Sequence, residues 1–507
     1  MNKRLILAVA LSFLVMLTWA KMAQKFYPIE QQGVTEHSPQ VSPNVFTPEQ
    51  TQVSLPAASL DVQNEVLVSV FSHDRELIFN PASASLKKII FSQYSDYEVD
   101  LGQGFYLTGE NLVFTQKTLN SQEAIFVYQD SQKRIIKHYN YSDPSFVITL
   151  DIEIENLSEQ PLPYPPGLIL GTISLDSRGL DARFKEIFVK QPERMLRLKP
   201  NKETRVQHSG EFFGFRDRYF CGIIIPMSYP ETLQIIRPDR VNSNLLLSRP
   251  MINLLPSQIG HLQYQIYLGP QQTEFLKAFS SGAEEVMYYG FFDPIAKVLL
   301  GTLRFFYRIV HNWGLAIIIL SILIFFVLMP LSIKQMRSTK QMQELQPKIE
   351  ELRKAYKDNP QRLNKETMEL YRKYKINPLG GCLPMVLQIP VFFSLYQALI
   401  RFIELKGAHF LWIKDLSMPD RLVASPEINI LPILMAISMF LQQKTTMSAM
   451  SGSSSEQQRM MSFLFPILFG FIFYKMPSGL VLYWFVNGVL MFVNQMKMKV
   501  SNEPIKH

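Results

Sequence analysis

Seven neutral polar side chains interrupt the long apolar runs in the C-terminal part of the chain, and their types could do chemistry there. They are Ser321, Gln388, Ser394, Gln397, Ser438, Asn487 and Asn494. Hydroxyls and amides are costly in hydrocarbon unless they meet a partner or water, so such groups usually face a bundle interior. Two interpretations stay open: each side chain makes a helix–helix hydrogen bond, or together they line a shared wet interior.

The sequence offers no pattern typical of catalysis. It contains no Walker A motif, no HExxH zinc motif and no nucleophile elbow, and its eight histidines are scattered outside the apolar runs. Cys221 and Cys382 lie far apart in different kinds of segment, so neither a disulfide nor a metal site is expected, and Cys382 is interpreted as a small packing residue. We predict that the protein is not an enzyme and that it needs no metal or cofactor.

The elements that must position the polar residues are six apolar runs. The first, residues 4–20, follows Lys3 and Arg4 and lacks a clean cleavage site. We therefore predict that residues 1–25 are an uncleaved membrane anchor, with a cleaved signal peptide as the alternative. The other five runs are long and apolar enough to be spans, at about 312–333, 380–402, 428–443, 460–474 and 479–496.

The distribution of charge predicts the orientation of these spans. The chain of 507 residues has a net charge of +8, and residues 332–377 hold twice as many Lys and Arg as Asp and Glu residues. Basic loops stay in the cytoplasm, and the basic start of the anchor agrees with a cytoplasmic N-terminus. We predict that both termini lie inside and that residues about 26–290 lie outside, with 26–61 as a flexible linker.

Residues 62–285 show the alternation that is typical of β-strands. In FVITLDIEIE (146–155) every second residue is apolar, and HLQYQIYLG (261–269) repeats the pattern. Turn clusters such as PLPYPPG (161–167) separate runs of this kind. The pattern predicts a large antiparallel β-sandwich outside the cytoplasm.

Residues 286–311 predict an amphipathic helix between the β-domain and the first core span. Lys297, Arg304, Arg308 and His311 fall on one helical face, and aromatic and aliphatic residues lie largely away from them. A basic, aromatic-rich helix beside a span is expected to lie in the membrane interface. Packing against the β-domain is the alternative.

Residues 334–376 are predicted to form a cytoplasmic helical hairpin. Apolar residues recur at heptad spacing over 342–356 and at helical spacing over 363–374, on either side of the breaker KDNP (357–360). Its basic side chains are either simply solvated or contact the ribosome or anionic lipid, and no specific nucleic acid is expected. The candidate contacts with such a partner are Lys348, Arg353, Lys354, Lys357 and Arg362.

Several short motifs occur in an order that resembles one family. They are NWG (312–314), MPLSIKQ (329–335), LQPKIEELR (345–353), NPLGGCLPMVLQIPVF (377–392), LWIKDLS (411–417), LPILM (431–435) and MPSGLVLY (476–483). Together they resemble the YidC/Oxa/Alb family of membrane insertases in its Gram-negative form. The best match in the β-domain is GFRDRYFCGIIIP (214–226), so the resemblance covers nearly the whole chain.

The resemblance implies a mixed fold, a polytopic α-helical membrane protein with a large periplasmic antiparallel β-sandwich domain. Five of the six spans would form an insertase core, residues 312–507, in the bacterial inner membrane. Such a protein inserts and folds nascent membrane proteins through a hydrophilic groove, alone or with the Sec translocon, in contact with membrane lipids. The groove residues that we expect are Ser321, Phe325, Pro384, Gln388, Ile389, Tyr483, Trp484 and Asn487.

Two other functions use the same segments. A polytopic transporter or channel with a periplasmic binding domain would also place polar residues in a helical bundle, although the runs contain no charged ring and no detectable inverted repeat. A binding or scaffold role for the β-domain alone would not explain the polar residues in the five predicted core spans.

One position departs from the family pattern. The family has an arginine in the first core span, facing the groove, and a gapless alignment of NWG and MPL places Phe325 there. Residues 314–333 contain no basic residue, so a cation that attracts acidic substrate tails is not carried over to this chain. We expect polar hydration and apolar sliding to suffice without it.

Overall fold

The computed structural model describes residues 66–108, 112–164, 167–175, 181–202, 207–357, 359–374, 383–422, 428–448 and 456–500. The predicted anchor and linker, residues 4–20 and 26–61, lie outside the described residues, and so does the NPLGG segment, residues 377–381. In the described part, strands come first and helices follow.

The strands of the β-domain follow the alternating segments of the sequence. They are β1 (Val68–Ser72), β2 (Arg75–Asn80), β3 (Ser85–Phe91), β4 (Tyr97–Gly104), β5 (Tyr106–Leu107), β6 (Thr115–Leu119), β7 (Glu123–Gln129), β8 (Lys133–Asn140), β9 (Val147–Asn156), β10 (Leu162–Tyr164), β11 (Leu168–Ser174), β12 (Glu186–Lys190), β13 (Met195–Leu198), β14 (His208–Ser209), β15 (Phe212–Arg216), β16 (Phe220–Pro226), β17 (Thr232–Ile236), β18 (Asn242–Ser248), β19 (Ile252–Leu254) and β20 (Ile259–Pro270).

These strands form one large sheet and three smaller ones. The nine-stranded sheet has the order β13-β12-β15-β16-β20-β9-β8-β7-β6 and the five-stranded sheet the order β14-β17-β18-β11-β5. A four-stranded sheet, β1-β2-β3-β4, and the pair β10-β19 complete the domain. The pairings are antiparallel. The prediction of an antiparallel sandwich-like β-domain is confirmed.

The alternating residues of β9 and β20 lie at the centre of the large sheet. Leu150 pairs with Tyr264 and Ile152 with Leu262, and each of the four side chains is at most 2% exposed. Removing such apolar surface from water stabilises the fold by about 25 cal/mol per Å². The alternation therefore predicted both the strands and the face that each one buries.

One turn cluster of the sequence is partly a strand. Leu162–Tyr164, inside PLPYPPG, forms β10 and pairs with β19. Tyr164 is 1% exposed, and Pro163 is tolerated because β10 is an edge strand of a two-stranded sheet. The prediction of a turn over the whole cluster was wrong, because burial of the Tyr164 side chain stabilises a short strand despite the turn preference of the prolines.

A buried lysine ties the large sheet to the four-stranded one. Lys137, on β8, is 0% exposed, and its Nζ donates to the carbonyl oxygens of Ala84 at 2.5 Å and Phe105 at 2.6 Å. The hydroxyl of Tyr139 also donates to the Ala84 carbonyl, at 2.8 Å. Burial lowers the pKa of Lys137 well below its usual value.

The helices follow the β-domain. They are α1 (Thr273–Phe279), α2 (Asp293–Val310), α3 (Trp313–Glu344), α4 (Gln346–Ala355), α5 (Pro360–Lys373), α6 (Leu383–Ile400), α7 (Ile430–Ser448), α8 (Glu456–Phe473) and α9 (Ser478–Val500). Helix α9 packs against α3, α6 and α7, while α7 also packs against α8. The core is thus a bundle in which α9 contacts most of the other apolar helices.

Among the residues that the structure describes, two helical stretches are long and apolar enough to cross a membrane. They are Trp313–Ile333 of α3 and Ser478–Lys497 of α9. Three shorter apolar stretches, Gln388–Ile400, Ile430–Lys444 and Phe463–Phe473, fall at the positions of the other predicted core spans. Of the six spans predicted from the sequence, the structure therefore supports two by length and composition.

Helix α2 buries one face and exposes an apolar face. Ala296, Leu300 and Leu303 are at most 3% exposed, and α2 packs against α3 and α6. Val298 and Phe305, on the other side, are 68% and 57% exposed. An exposed apolar stripe of this kind is typical of a helix that meets lipid.

The first core span does not end where its apolar run ends. Helix α3 continues from the span to Glu344, with Pro330 inside it, and Gln346 begins α4. The predicted hairpin therefore consists of α4 and α5, which pack against each other, and its first arm is shorter than expected. The backbone N–H of Arg362 bonds to the side chain of Asn359, which caps α5.

Candidate functional site

Helices α6 and α9 bring two of the predicted groove residues into contact. Nε2 of Gln388 donates a hydrogen bond to the hydroxyl of Tyr483 at 3.2 Å. Tyr483 is 0% exposed, whereas Gln388 is half-buried. The contact places a neutral amide and a phenol between two apolar helices, where each satisfies part of the other's hydrogen-bonding capacity.

Trp484 belongs to an aromatic cluster beside this pair. Its ring lies 5.1 Å from that of Phe392 on α6 and 5.7 Å from that of Phe473 on α8. The Nε1–H of Trp484 is buried and has no hydrogen-bond partner among the described residues. A buried indole N–H usually finds a partner, so this atom is an unsatisfied donor within the described part of the bundle.

Ser321 and Phe325 lie one turn apart on the buried face of α3. Oγ of Ser321 donates to the carbonyl of Ile317 at 2.7 Å, so its hydroxyl is satisfied within its own helix. Phe325 is 8% exposed, whereas its neighbour Phe326 is 58% exposed. Phe325, at the position of the arginine in the family that the sequence resembles, therefore faces the interior of the bundle. The next residue, Phe326, faces outwards.

The other predicted groove residues do not gather around one point. Ile389 is 45% exposed and lies on the outer side of α6. Asn487 is half-buried one turn after Tyr483, on the same face of α9. Pro384 is in the first turn of α6, where a missing N–H removes no helix hydrogen bond, and its side chain lies outside the described residues.

Gln443 is a polar residue of the bundle that the sequence analysis missed. Its Oε1 is buried without a partner among the described residues, as are Oε1 of Gln397 and Nδ2 of Asn494, which the sequence analysis did identify. Gln443 closes an apolar run and was taken as the end of a span, but α7 continues to Ser448. Its position within a continuing helical period is the signal that could have identified it.

Residues 401–422, which we call the outer loop, cover one end of the helical bundle. The N–H of Ser478, at the start of α9, donates to the carbonyl of Met418 at 2.8 Å. Gly314 of α3 lies so close to the loop that a Cβ there would be 2.1 Å from the ring of Phe410. The outer loop therefore contacts the starts of both long apolar helices.

A half-buried ion pair joins α2 to the outer loop. Nε and Nη2 of Arg304 donate to Oε1 of Glu404 at 3.1 Å and 2.8 Å. Burial raises the pKa of Glu404, and the Arg304 guanidinium opposes that rise. Sequence analysis placed Arg304 on a basic face and missed its partner, because nothing local connects residues 100 positions apart.

Similarity to known proteins runs along the chain. Residues 305–504 match the family described as 60Kd inner membrane protein, and residues 99–301 match the YidC periplasmic domain. The membrane protein insertase YidC of Geotalea uraniireducens is 32% identical over 540 residues, which cover 98% of each chain. The chain belongs to the YidC membrane protein insertase family.

A second YidC relative, from Geobacter sp. strain M21, is 39% identical over 376 residues, or 71% of this chain and 67% of that one. The crystal structure of YidC from Thermotoga maritima is 15% identical, with a TM-score of 0.35 over 85% of this chain and 98% of that one. Members of the family are insertases of the bacterial inner membrane and not enzymes, so the prediction of a non-enzymatic membrane protein is confirmed.

The hairpin of this YidC-family chain exposes its basic residues. The five residues predicted to contact a cytoplasmic partner are exposed: Lys348, Arg353, Lys354, Lys357 and Arg362. Nζ of Lys348 donates to the hydroxyl of Tyr374, and the Arg362 guanidinium lies 5.1 Å from the centre of the Tyr356 ring. These contacts connect α4 to α5 and leave positive charge on the hairpin surface.

Proposed function

We propose that this YidC-family insertase receives nascent transmembrane segments in a groove between α6 and α9. The observation that carries the proposal is the hydrogen bond between Gln388 and Tyr483, which places polar groups between two apolar helices. Beside it, Ile389 and Phe393 give α6 an apolar outer side, since they are 45% and 42% exposed. A segment in this groove meets hydrogen-bonding groups on one side and lipid on the other.

Such a groove lowers the cost of moving the polar part of a substrate across the membrane. Buried atoms of Gln397, Gln443, Trp484 and Asn494, on α6, α7 and α9, have no partner among the described residues. A peptide group that is unsatisfied in hydrocarbon costs several kcal/mol, so each donor or acceptor that it meets reduces the barrier. The apolar partition of the substrate, about 25 cal/mol per Å², then drives release into lipid.

The proposal includes six spans with both termini in the cytoplasm. Helix α3 supports this orientation, because it begins beside the outer loop, which contacts the β-domain, and ends beside the basic hairpin. The β-domain and the basic hairpin thus lie at opposite ends of one apolar helix. Exposed side chains on a shorter helix, such as Phe471 of α8 at 80%, support contact with lipid over that helix too.

Contacts with the ribosome and with the Sec translocon are a further part of the proposal. The exposed basic hairpin supports an encounter with ribosomal RNA or with anionic lipid, because its charge is not neutralised within α4 and α5. Small substrates would be inserted by this chain alone, and larger ones beside the translocon.

Depletion of the chain in its own cells tests the insertase function. We expect a two-span reporter protein to remain uninserted, scored by protease accessibility of its exported loop, while solute fluxes stay normal. Normal reporter insertion after depletion would contradict the insertase function. A flux defect with normal insertion would instead indicate a transporter or channel.

A photocrosslinking amino acid at Gln388 or Trp484 tests the groove. Both positions should capture a nascent span of the reporter, because they lie between α6 and α9 or beside that gap. The matched control is the same amino acid at Phe471, which is exposed on α8. Equal capture at Phe471, or none at the two groove positions, would contradict this placement of the substrate.

A further inference from the structure

A hairpin turn of the β-domain projects towards the outer loop. Strands β15 and β16 are joined through Asp217, Arg218 and Tyr219. Oδ1 of Asp217 accepts hydrogen bonds from the N–H groups of Tyr219 at 2.8 Å and Phe220 at 2.7 Å. Nε2 of Gln271 donates to the carbonyls of Asp217 and Phe220, both at 3.0 Å. These bonds fix the turn and hold Arg218 at its tip.

Arg218 reaches the outer end of α6. Its Nε donates to the carbonyl of Ile400, the last residue of α6, at 2.5 Å, and its Nη2 donates to the carbonyl of Ser417 at 3.4 Å. The last carbonyls of a helix have no partner within the helix and form the negative end of its dipole. A guanidinium at this place satisfies one of them and offsets that charge, in a site where Arg218 is only 5% exposed.

The residue after α6 makes a second contact of the same kind. Arg401 donates to the carbonyl of Tyr288, and its guanidinium lies 4.8 Å from the centre of the Phe184 ring. Tyr288 and Phe184 lie before α2 in the chain, on the side of the β-domain. Two arginines therefore connect the β-domain to the outer end of α6. Arg218 reaches from the β-domain to α6, and Arg401 reaches from the end of α6 towards the β-domain.

The outer loop approaches the β-domain again a few residues later. Nζ of Lys406 lies 5.2 Å from the centre of the Tyr97 ring. A Cβ built on Gly407 would lie 4.0 Å from Cβ of Ser95. The β-domain thus contacts the chain from the end of α6 through residue 407.

The same outer loop contacts the start of α9, through Met418 and Ser478. Gln388 lies about 18 Å along α6 from Ile400, at 1.5 Å per residue. We propose that Arg218 is a positioning residue for insertion. It fixes the outer end of α6 and, through the outer loop, the start of α9, so that docking of the β-domain sets the spacing of Gln388 and Tyr483. The effect of Arg218 on the spacing of the two helices stands by itself, whereas its effect on insertion rests on the proposed function.

Arg218→Ala tests the role, and Arg75→Ala is its matched control. Arg75 is also buried, at 3% exposed, and donates to the carbonyls of Tyr141 and Asp143 at 3.2 Å and 2.8 Å, all within the β-domain. We expect Arg218→Ala in the full chain to lower reporter insertion several-fold at equal abundance, and Arg75→Ala to leave it near the wild-type level. Arg218→Lys keeps a charged donor and should retain most of the insertion.

A reversible engineered disulfide, which we call the staple, separates the docking of the β-domain on the outer loop from other effects of Arg218→Ala. Ser95→Cys with Gly407→Cys, in a Cys221→Ala and Cys382→Ala background, gives a Cβ separation of 4.0 Å, within the range of about 3.5–4.5 Å for disulfides. Because Gly407 has a φ of +70°, a side chain there is strained, so the same cysteine pair with Arg218 intact is the reference for every comparison. Oxidation should restore insertion to Arg218→Ala, and reduction should remove it again. A role of Arg218 in the stability of the β-domain alone would not give this reversible rescue.

A geometric readout makes the positioning role independent of insertion. Gln388→Cys with Tyr483→Cys, in the same Cys221→Ala and Cys382→Ala background, should crosslink readily with a short bifunctional thiol reagent when Arg218 is intact. Crosslinking should be several-fold lower in Arg218→Ala but not in Arg75→Ala. Unchanged crosslinking in Arg218→Ala overturns the inference. So does a loss of insertion shared equally by Arg75→Ala, or a loss that neither Arg218→Lys nor the staple relieves. If the wild-type chain did not insert the reporter, the proposed function would fail while the crosslink still judged the positioning role.

Discussion

Gln388 and Tyr483 are 95 residues apart in the chain and share a hydrogen bond of 3.2 Å between α6 and α9. The bond joins two neutral groups, so its strength depends little on ionic strength. Tyr483 is fully buried, whereas Gln388 is half-buried. The amide oxygen of Gln388, which does not take part in this bond, is therefore the acceptor of the pair that a peptide in the proposed groove would reach.

Removing either partner should have unequal effects on stability. Gln388→Leu leaves the fully buried Tyr483 hydroxyl unpaired and should cost about 1–3 kcal/mol of unfolding free energy, whereas Tyr483→Phe leaves a half-buried amide and should cost less. The double variant should lose less than the sum, with a coupling of about 0.6 kcal/mol. Denaturant titration of the three variants in detergent measures these values. Strict additivity would show that the bond contributes nothing.

The loss of insertion in both single variants should depend on the polarity of the substrate. Insertion of a reporter with a polar exported loop should fall in Gln388→Leu and in Tyr483→Phe, because fewer hydrogen bonds are offered in the groove. A reporter whose exported segment is short and apolar should insert normally in both. Equal losses for the two reporters would place the effect in the fold rather than in the groove.

Arginine substitutions at two neighbouring positions of α3 should have opposite outcomes. Phe325 is buried at 8% exposed and faces the bundle, whereas Phe326 is 58% exposed. Phe326→Arg should place a charge in lipid at about 2.5–3.5 kcal/mol and lower the abundance of the protein. Phe325→Arg should be tolerated if the proposed groove is wet, because a hydrated interior would supply hydrogen-bond partners for the guanidinium. Abundance and reporter insertion measure both, and misfolding of Phe325→Arg would show that this part of the interior is dry.

Breaking the ion pair between α2 and the outer loop should destabilise the protein. Arg304→Ala leaves the half-buried Glu404 without its counter-charge and should cost about 1–3 kcal/mol of unfolding free energy. Adding Glu404→Gln should recover part of the loss, because the remaining group is neutral. The control is Lys297→Ala, which removes a lysine that is 52% exposed from its pair with Asp293 at 2.8 Å and should cost less than about 1 kcal/mol. Thermal unfolding in detergent compares them, and equal losses for Arg304→Ala and Lys297→Ala would be evidence against a special contribution of the Arg304–Glu404 pair.

Lys137 should make the stability of the β-domain depend on pH. Its pKa is lowered well below 10.5 by burial, so the unfolded chain binds the proton more readily between the two values. Its contribution to the unfolding free energy should therefore be complete above pH 10.5 and be lost as pH falls through the folded pKa. Lys137→Met should flatten this part of the curve, measured as the difference in unfolding free energy between the two proteins at several pH values. Parallel curves would show that the lysine does not titrate with folding.

The sequence predicts best where a local period decides the structure. The alternation in β9 and β20 identified both strands and their buried faces, and the apolar run of α3 identified its span. It could not predict where α3 ends, because polar helix-forming residues continue the helix to Glu344 after the hydrophobic signal has stopped. Short, proline-rich β10 was missed for the converse reason, since its pairing with β19 has no local signal.

The site was predictable residue by residue but not as an arrangement. Polar residues within apolar runs indicated Gln388 and Asn487, yet only the packing of α6 on α9 shows that Gln388 meets Tyr483. Contacts such as Arg218 with Ile400, 182 positions apart, depend on the fold of two separate parts of the chain. Side-chain type and spacing do not encode such partners.

Helix α3 is one continuous rod of 32 residues, about 48 Å long at 1.5 Å per residue. Its first turn is clasped by the outer loop, whereas its far end leads directly into α4 and α5. A rigid lever of this length converts a tilt of about 5° at the clasped end into a displacement of about 4 Å at the other. Pro330 removes one backbone hydrogen bond between the two ends, so bending at this position would reduce the displacement that reaches the far end. A partner that displaced the hairpin on binding would therefore tilt the part of α3 that contains Phe325, so α3 connects the hairpin to the interior of the bundle through its backbone.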